Sequence, residues 1–247
     1  KAFSKILASS INDLKPIALV HFGSENPSFY ESNKLKKDFY QKNFKSTKNL
    51  IDCFVKFKSG KLILIGSSQM YKDKNIRINL KTKFTPSTPY TRFRIDSFKY
   101  MIKQKRKHKS NMVMAILFNH DSIYRNKKFL IPRLVKIIKS KNFNKLQEIY
   151  HKNISGDFSH ADDICNGLLK LIKTRENPDK LIFSSNKRSN INDIINYLIK
   201  INKVIFKLNE RVKNKTYSSM GDNSYTKKIL NWKLRKDIFI AAKELNN

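Results

Sequence analysis

Ser67, Ser68, Gln69, Tyr90 and Arg94 have the residue types and order of a site that moves a proton on or off a hydroxyl. The serines follow the apolar run Leu62 to Ile65, within Gly66-Ser67-Ser68-Gln69-Met70-Tyr71, and Thr88-Pro89-Tyr90 stands one helical turn before Arg94. A cation four residues after a tyrosine shares its helix face and favours the ionised phenol, which is a general base. The plain reading of the same residues is structural: Ser67 and Ser68 cap a turn, and Tyr90 after Pro89 opens a helix and packs. The spacing alone does not choose between them. Asn119, His120 and Ser122, with Arg125 shortly after, follow a second apolar run, and open α/β sheets bind ligands beyond the C-terminal ends of their strands. His160 and Asp163 read as caps of a following helix.

The elements that must position these residues alternate between strand-like and helix-like apolar runs, the pattern of a parallel sheet covered by helices. Ile17 to Phe22, Leu62 to Ile65, Met112 to Phe118 and Leu181 to Phe183 read as buried strands. Phe44, Thr47, Ile51, Phe54 and Val55 recur at helical spacing. Further helices are predicted from Tyr90 into the basic cluster, over Ile131 to Ile138, over Ile164 to Ile172, and over Ile191 to Leu198 with Ser189 as its cap. A last helix covers Ile238 to Leu245.

Apolar residues make up 40% of 247 residues, enough for a folded core and against disorder. No run approaches the ~20 apolar residues of a membrane span, and no signal-peptide pattern opens the chain, so a cytoplasmic location is expected. Cys53 and Cys165 each stand alone in an apolar helical pattern and read as buried thiols, with no metal expected. The formal charge of +33 raises a nucleic-acid partner. Lysine is spread along the whole chain, however, so a solvated surface is the preferred reading and no specific nucleic acid is expected. The densest run, Lys103 to Lys109, reads as an exposed helix terminus, with a polyanion site as the alternative.

Longer stretches resemble the GDP-mannose 4,6-dehydratase family of the extended short-chain dehydrogenases. Leu117-Phe118-Asn119-His120-Asp121-Ser122 is similar to that family's Leu-Phe-Asn-His-Glu-Ser segment, with Arg125 and Phe129 at matching distances. Gly156-Asp157-Phe158-Ser159-His160-Ala161-Asp162-Asp163 resembles its Arg-Asp-Trp-Gly-His-Ala-Lys-Asp. Gly221-Asp222 and Leu230-Asn231-Trp232-Lys233 resemble its C-terminal elements. Lys15-Pro16 leading to His21-Phe22-Gly23-Ser24 looks like the strand and turn that pass beneath the nicotinamide.

The resemblance implies an α/β fold, a Rossmann-type doubly wound parallel sheet lacking its first βαβ units, with a smaller C-terminal substrate lobe. Residues 1–118 would form the remainder of the NAD(P)-binding domain, and 119–247 mainly the nucleotide-sugar lobe, partly interleaved with the first. None of the six glycines forms a phosphate-binding turn, so about 60 to 80 residues of the family's N-terminal βαβ steps are expected to be missing. The implied activity is that of a lyase converting GDP-mannose to its 4-keto-6-deoxy product, with NADP as cofactor and NAD as the alternative. Phe22, Gly23 and Ser24 would hold the cofactor together with Tyr90 and Arg94. Tyr90 would be the base, Ser67 would orient the sugar O4, and Ser68, Asn119, His120, Ser122 and Arg125 would contact the substrate. Gln69 stands where the family has Glu, Arg94 where it has Lys, and Gly156 where it has Arg. An amide is no general base at neutral pH, which leaves an impaired enzyme, a non-catalytic nucleotide-sugar binder or an epimerase as competing readings. A homo-oligomer is compatible with the family.

Overall fold

The computed structural model describes residues 9, 13–24, 27, 37–57, 60–71, 76–206, 208–209 and 216–247. It divides into two units. One comprises Lys1–Lys72, Leu80–Leu117 and Leu168–Leu181, the other Asp73–Asn79, Phe118–Gly167 and Ile182–Asn247.

The first unit is built on parallel strands. β1 (Ala18–His21) pairs with β2 (Lys61–Ser67), with Leu19 opposite Leu62, and β2 pairs with β4 (Met112–Leu117), with Leu62 opposite Met112. β7 (Lys180–Phe183) completes the order β1-β2-β4-β7. β4 is buried along its whole length and β2 along nearly all of it, which is why these stretches are continuous apolar runs rather than alternating ones. Helix α1 (Lys37–Phe57) turns Phe39, Leu50, Ile51 and Phe54 inward and packs on α2 (Pro89–His108). Thr88 caps α2 by accepting from the Thr91 N–H at 3.2 Å, Pro89 takes the first helical position, and Lys109 ends the helix in the left-handed region at φ 50°. Helix α5 (Ala161–Lys173) passes from the second unit into the first.

The second unit holds short strands and a helical core. β5 (Asn119–Asp121) runs parallel to β6 (Ile154–His160), which pairs antiparallel with β8 (Arg188–Asn190) and parallel with β9 (Thr216–Tyr217). β3 (Arg77–Ile78) pairs with β10 (Met220–Gly221). Helices α3 (Leu130–Lys139), α4 (Phe143–His151), α6 (Ile191–Ile201) and α8 (Ile238–Asn246) enclose a core that includes Leu134, Ile138, Leu146, Ile194, Leu198 and Ala241. α7 (Ser224–Leu230) leads to Trp232, whose ring packs on Phe183 at 5.3 Å and on bare Gly167.

The mixed α/β architecture with parallel pairing is the one expected from the sequence, and the predicted helices and strands all occur. The short elements are not among those expected from the sequence: α7 and the strands of the second unit carry too few apolar residues for a period, while α4 does repeat Phe143, Leu146, Ile149 and Tyr150 at helical spacing over only nine residues. Two local expectations are corrected. Asn190, not Ser189, caps α6, accepting from the Asn192 N–H at 2.9 Å, because α6 starts at Ile191 and the residue directly before it is Asn190, the last of β8. Cys165 is exposed while Cys53 is buried, since the outer face of α5 carries Asp162, Cys165 and Leu169. Among the described residues no helix is long and apolar enough to cross a membrane, and no group of His, Cys, Asp or Glu is placed to hold a metal ion.

Candidate functional site

In the first unit the candidate residues gather where β1 and β2 end. Ser67 closes β2 and caps the 3-10 turn Ser68–Met70, its hydroxyl accepting from the Gln69 N–H at 3.2 Å. The Ser68 carbonyl accepts from the Tyr71 N–H at 3.2 Å, so the turn is tied at both ends. α2 packs against this turn, and the Thr85 N–H donates to the Met70 carbonyl at 2.9 Å. The side chain of Gln69 is half-buried.

Tyr90, the second residue of α2, is only 4% exposed and clusters with Phe93 and Phe39, its ring edge-on to Phe93 at 5.6 Å. Arg94 lies one turn on, its guanidinium 5.3 Å from the Tyr90 ring centre and 4.9 Å from that of Phe93. One Nη donates to the Ile65 carbonyl and the other to the Ser24 hydroxyl at 2.7 Å, while the buried Nε has no hydrogen-bond partner among the described residues. Ser24 sits in a tight turn after β1, its N–H donating to the Phe22 carbonyl at 2.8 Å. Phe22 and Gly23 are exposed, and a Cβ on Gly23 would meet only the His21 ring. Burial, reinforced by the Arg94 charge, lowers the His21 pKa, and its Nε2 lies 3.3 Å from the Thr47 hydroxyl.

In the second unit the remaining candidates cluster around β5. The Asn119 amide donates to the Asp157 carbonyl at 3.3 Å. His120 Nδ1 donates to the Phe118 carbonyl at 2.8 Å, which leaves Nε2 as an acceptor. Burial lowers its pKa, the Phe118 carbonyl opposes this, and Arg125 adds to the lowering. Asp121 is 5% exposed, and burial pushes its carboxyl up to about 6 against the pull of Arg125, whose Nε is 3.3 Å away. The Arg125 guanidinium lies 3.6 Å from the Phe129 ring centre, and the Arg125 backbone N–H donates to the carbonyl of the buried Ser122 at 2.9 Å. An open cleft of about 410 Å³ includes Ser122, Tyr124, Lys236 and Glu244 in its wall.

Asp157 is the residue that sequence reasoning passed over. It is fully buried, and its carboxylate accepts from the Ser185 N–H and hydroxyl at 2.7 Å each, and from the Asn186 and Gly221 N–H groups at 3.1 Å each. Its sequence signal is its place in the Gly156 to Asp163 stretch that resembles the family's motif, which gives it no role of its own. Asp163 does not cap α5. Its carboxylate accepts from the Arg235 and Lys236 N–H groups at 2.8 Å each, and its carbonyl from the Trp232 indole at 2.8 Å. His160 does serve the start of α5, its Nδ1 accepting from the Asp162 N–H at 3.1 Å.

The sequence model of the family described as GDP-mannose 4,6 dehydratase matches residues 4–239. The chain belongs to this family. A curated relative, GDP-mannose 4,6 dehydratase 2 of Caenorhabditis elegans, is 21% identical over 133 residues, 53% of this chain and 35% of the relative, so the match spans about a third of that protein. Among solved structures, UDP-glucuronic acid 4-epimerase of Bacillus cereus in complex with NAD superposes with a TM-score of 0.78 at 16% identity, covering 97% of this chain and 76% of that one. The dTDP-glucose 4,6-dehydratase DesIV of Streptomyces venezuelae, with NAD and TYD bound, gives 0.80 at 14%, covering 98% and 75%. RMD of Pseudomonas aeruginosa, complexed with NADPH, gives 0.79 at 17%, covering 97% and 83%. These likenesses establish a Rossmann-type α/β fold.

Within the family, the departure at Gly156 has a local cause. A Cβ there would fall 2.1 Å from the Ser218 hydroxyl and 3.2 Å from the Phe158 ring, so Ser218 occupies the space a longer side chain would need.

Proposed function

We propose that this chain is a nucleotide-sugar 4,6-dehydratase, acting on GDP-mannose with NADP, in which Gln69 limits the elimination step. The observation that carries the reading is the family match over residues 4–239, together with Ser67, Gln69 and Tyr90 at one strand end and one helix start of the first unit.

The residues present fit the nicotinamide end of a dinucleotide in part. Gly23 leaves the turn after β1 open to close approach, and Ser24 offers a hydroxyl. Arg94 does not supply the free cation that the family's Lys would, because both Nη groups are spent on Ile65 and Ser24. Its role here is to brace the β1 turn. A nicotinamide held there would supply the hydride acceptor for the sugar C4 and the donor for C6. Tyr90 is the base that takes the proton of the 4-hydroxyl, and the Ser67 hydroxyl holds O4 in line. Asn119, His120, Ser122 and Arg125 contact the nucleotide sugar. Removal of the C5 proton calls for a carboxylate that Gln69 lacks, so loss of the 6-hydroxyl as water is slow.

Gln69 also favours a second reading, a nucleotide-sugar epimerase or a binder without turnover, since oxidation and reduction confined to C4 need no base at C5. Gln69→Glu in the full chain, supplied with NADP and GDP-mannose, separates the two. A gain of 4-keto product supports the dehydratase; no gain together with retained binding supports the second reading. Calorimetry with GDP-mannose and UDP-glucose at two salt concentrations tests the substrate: selective, weakly salt-dependent GDP-mannose binding is expected, and equal, salt-sensitive binding of both would overturn the assignment.

A further inference from the structure

The basic run that reads from sequence as a helix terminus is half of a larger surface. At the N-terminal end of the sheet in the first unit, the last turn of α2 meets the segment after α5. Lys105 Nζ donates to the carbonyls of Asn177 at 2.7 Å and Pro178 at 3.0 Å and pairs with Asp179 at 3.0 Å, while the Asn177 amide donates to the Ser110 carbonyl at 3.4 Å. Buried Lys61, at the start of β2, donates to the carbonyls of Leu171, Thr174 and Glu176 at 2.8, 2.6 and 3.1 Å. Cations beside helix C-termini ordinarily answer exposed carbonyls. Here Lys61 and Lys105 already do so from within.

Six exposed cations surround them without a need of that kind: Lys103, Arg106, Lys107 and Lys109 on α2, and Lys173 and Arg175 at the end of α5. None makes an ion pair or hydrogen bond through its side chain among the described residues; of the two acids here Asp179 is taken by Lys105, and exposed Glu176 stands against the six cations. Lys103, Arg106 and Lys107, spaced three and four apart, share one face of α2. The patch lies at the opposite end of β2 from Ser67, about 20 Å away at ~3.3 Å per residue, so a ligand there leaves the candidate site open.

We propose that this surface binds the phosphate backbone of nucleic acid without regard to base sequence. The partner must be a dense polyanion, because six exposed cations against the single acid Glu176 are gathered by Lys61 and Lys105 rather than scattered. A lipid surface fits less well: no large apolar side chain of α2 is exposed, and Leu169 on α5 and Ile17, whose carbonyl accepts from the Lys61 N–H at 3.0 Å, are single exposed side chains rather than the continuous apolar face that seats a helix in a membrane interface. Among the described residues no exposed Phe, Tyr or Trp lies among these cations, and His108 is the one exposed ring there, so charge rather than base stacking carries the binding.

The test is fluorescence anisotropy of two unrelated short DNA duplexes on the full chain across a salt series. Engagement of all six cations predicts a log–log salt slope of about −5 and a loss of affinity of about a thousandfold between roughly 50 and 200 mM salt. Replacing all six by Gln should remove most of the slope, and Lys173→Gln with Arg175→Gln alone should reduce it by about 2. A control neutralises exposed Lys127, Lys145, Lys187, Lys200, Lys203 and Lys233 of the second unit, the same six charges from a formal net of +33. It should keep the slope nearly whole, with circular dichroism confirming the fold of every variant. Equal losses in the two six-residue variants would refer binding to net charge and overturn the proposal. So would a preference between the duplexes, or binding to phosphatidylserine vesicles where the duplexes do not bind.

Discussion

Replacing Asp157 by Asn tests the account of how the second unit holds its candidate residues. The carboxylate has two donors on each oxygen, Ser185 N–H and hydroxyl on Oδ1, Asn186 and Gly221 N–H on Oδ2. The introduced amide can accept on one side only. Its least costly orientation points the NH2 toward Ser185, whose hydroxyl turns to accept, and keeps the carbonyl for Asn186 and Gly221. The Ser185 N–H is then left unpaired in a buried site, at a cost of about 1–3 kcal/mol. Losing the charge weakens the two remaining bonds, while relief of burial, which drives the Asp157 pKa up, works the other way. The net expectation is a destabilisation of about 2 kcal/mol, or roughly 4–8 °C in Tm for a chain of this size. Urea unfolding followed by the fluorescence of Trp232, the only tryptophan and 1% exposed, measures it directly. A variant within about 0.5 kcal/mol of the parent would refute the reasoning, since surface-like tolerance is incompatible with a four-bond buried carboxylate.

Three further outcomes are expected. The Asp121 carboxyl, raised from 3.8 to about 6 by burial, binds its proton more tightly in the folded chain, so its contribution to stability falls as pH rises from about 4 to 6, by about 3 kcal/mol in all. Asp121→Asn should therefore gain on the parent by that order between pH near 4 and near 7, and unfolding curves that stay parallel across this range would contradict it. Gly167→Ala would bring a Cβ to 2.7 Å from the Phe183 ring and 3.1 Å from Trp232, and should cost about 1–3 kcal/mol with a change in tryptophan emission. Lys61→Met leaves the carbonyls of Leu171, Thr174 and Glu176 without their shared donor and should lower the urea midpoint, with faster amide exchange at the end of α5 as the local sign.

The sequence by itself determined the helices and strands whose apolar residues repeat, because burial along one element leaves its period in the chain: β2 and β4 as unbroken runs, α1 by its spaced apolar face, α2 by Thr88-Pro89 at its start. It also carried the family, through ordered motifs from His21-Phe22-Gly23-Ser24 to Leu230-Asn231-Trp232-Lys233. Only the tertiary structure decided what the polar residues do. β6 is a buried strand written in Gly, Asp, Ser and His, legible once Asp157 meets donors from Ser185, Asn186 and Gly221 and His160 meets Glu244 at 2.9 Å. Arg94 has the spacing of a catalytic cation yet turns inward to Ile65 and Ser24. Lys103 to Lys109 and Lys173 to Arg175 are separated in sequence and become one surface through Lys61 and Lys105. A periodic pattern reports only which side of an element is dry, whereas a buried hydrogen bond or a shared charge depends on groups that the fold alone brings within about 3 Å.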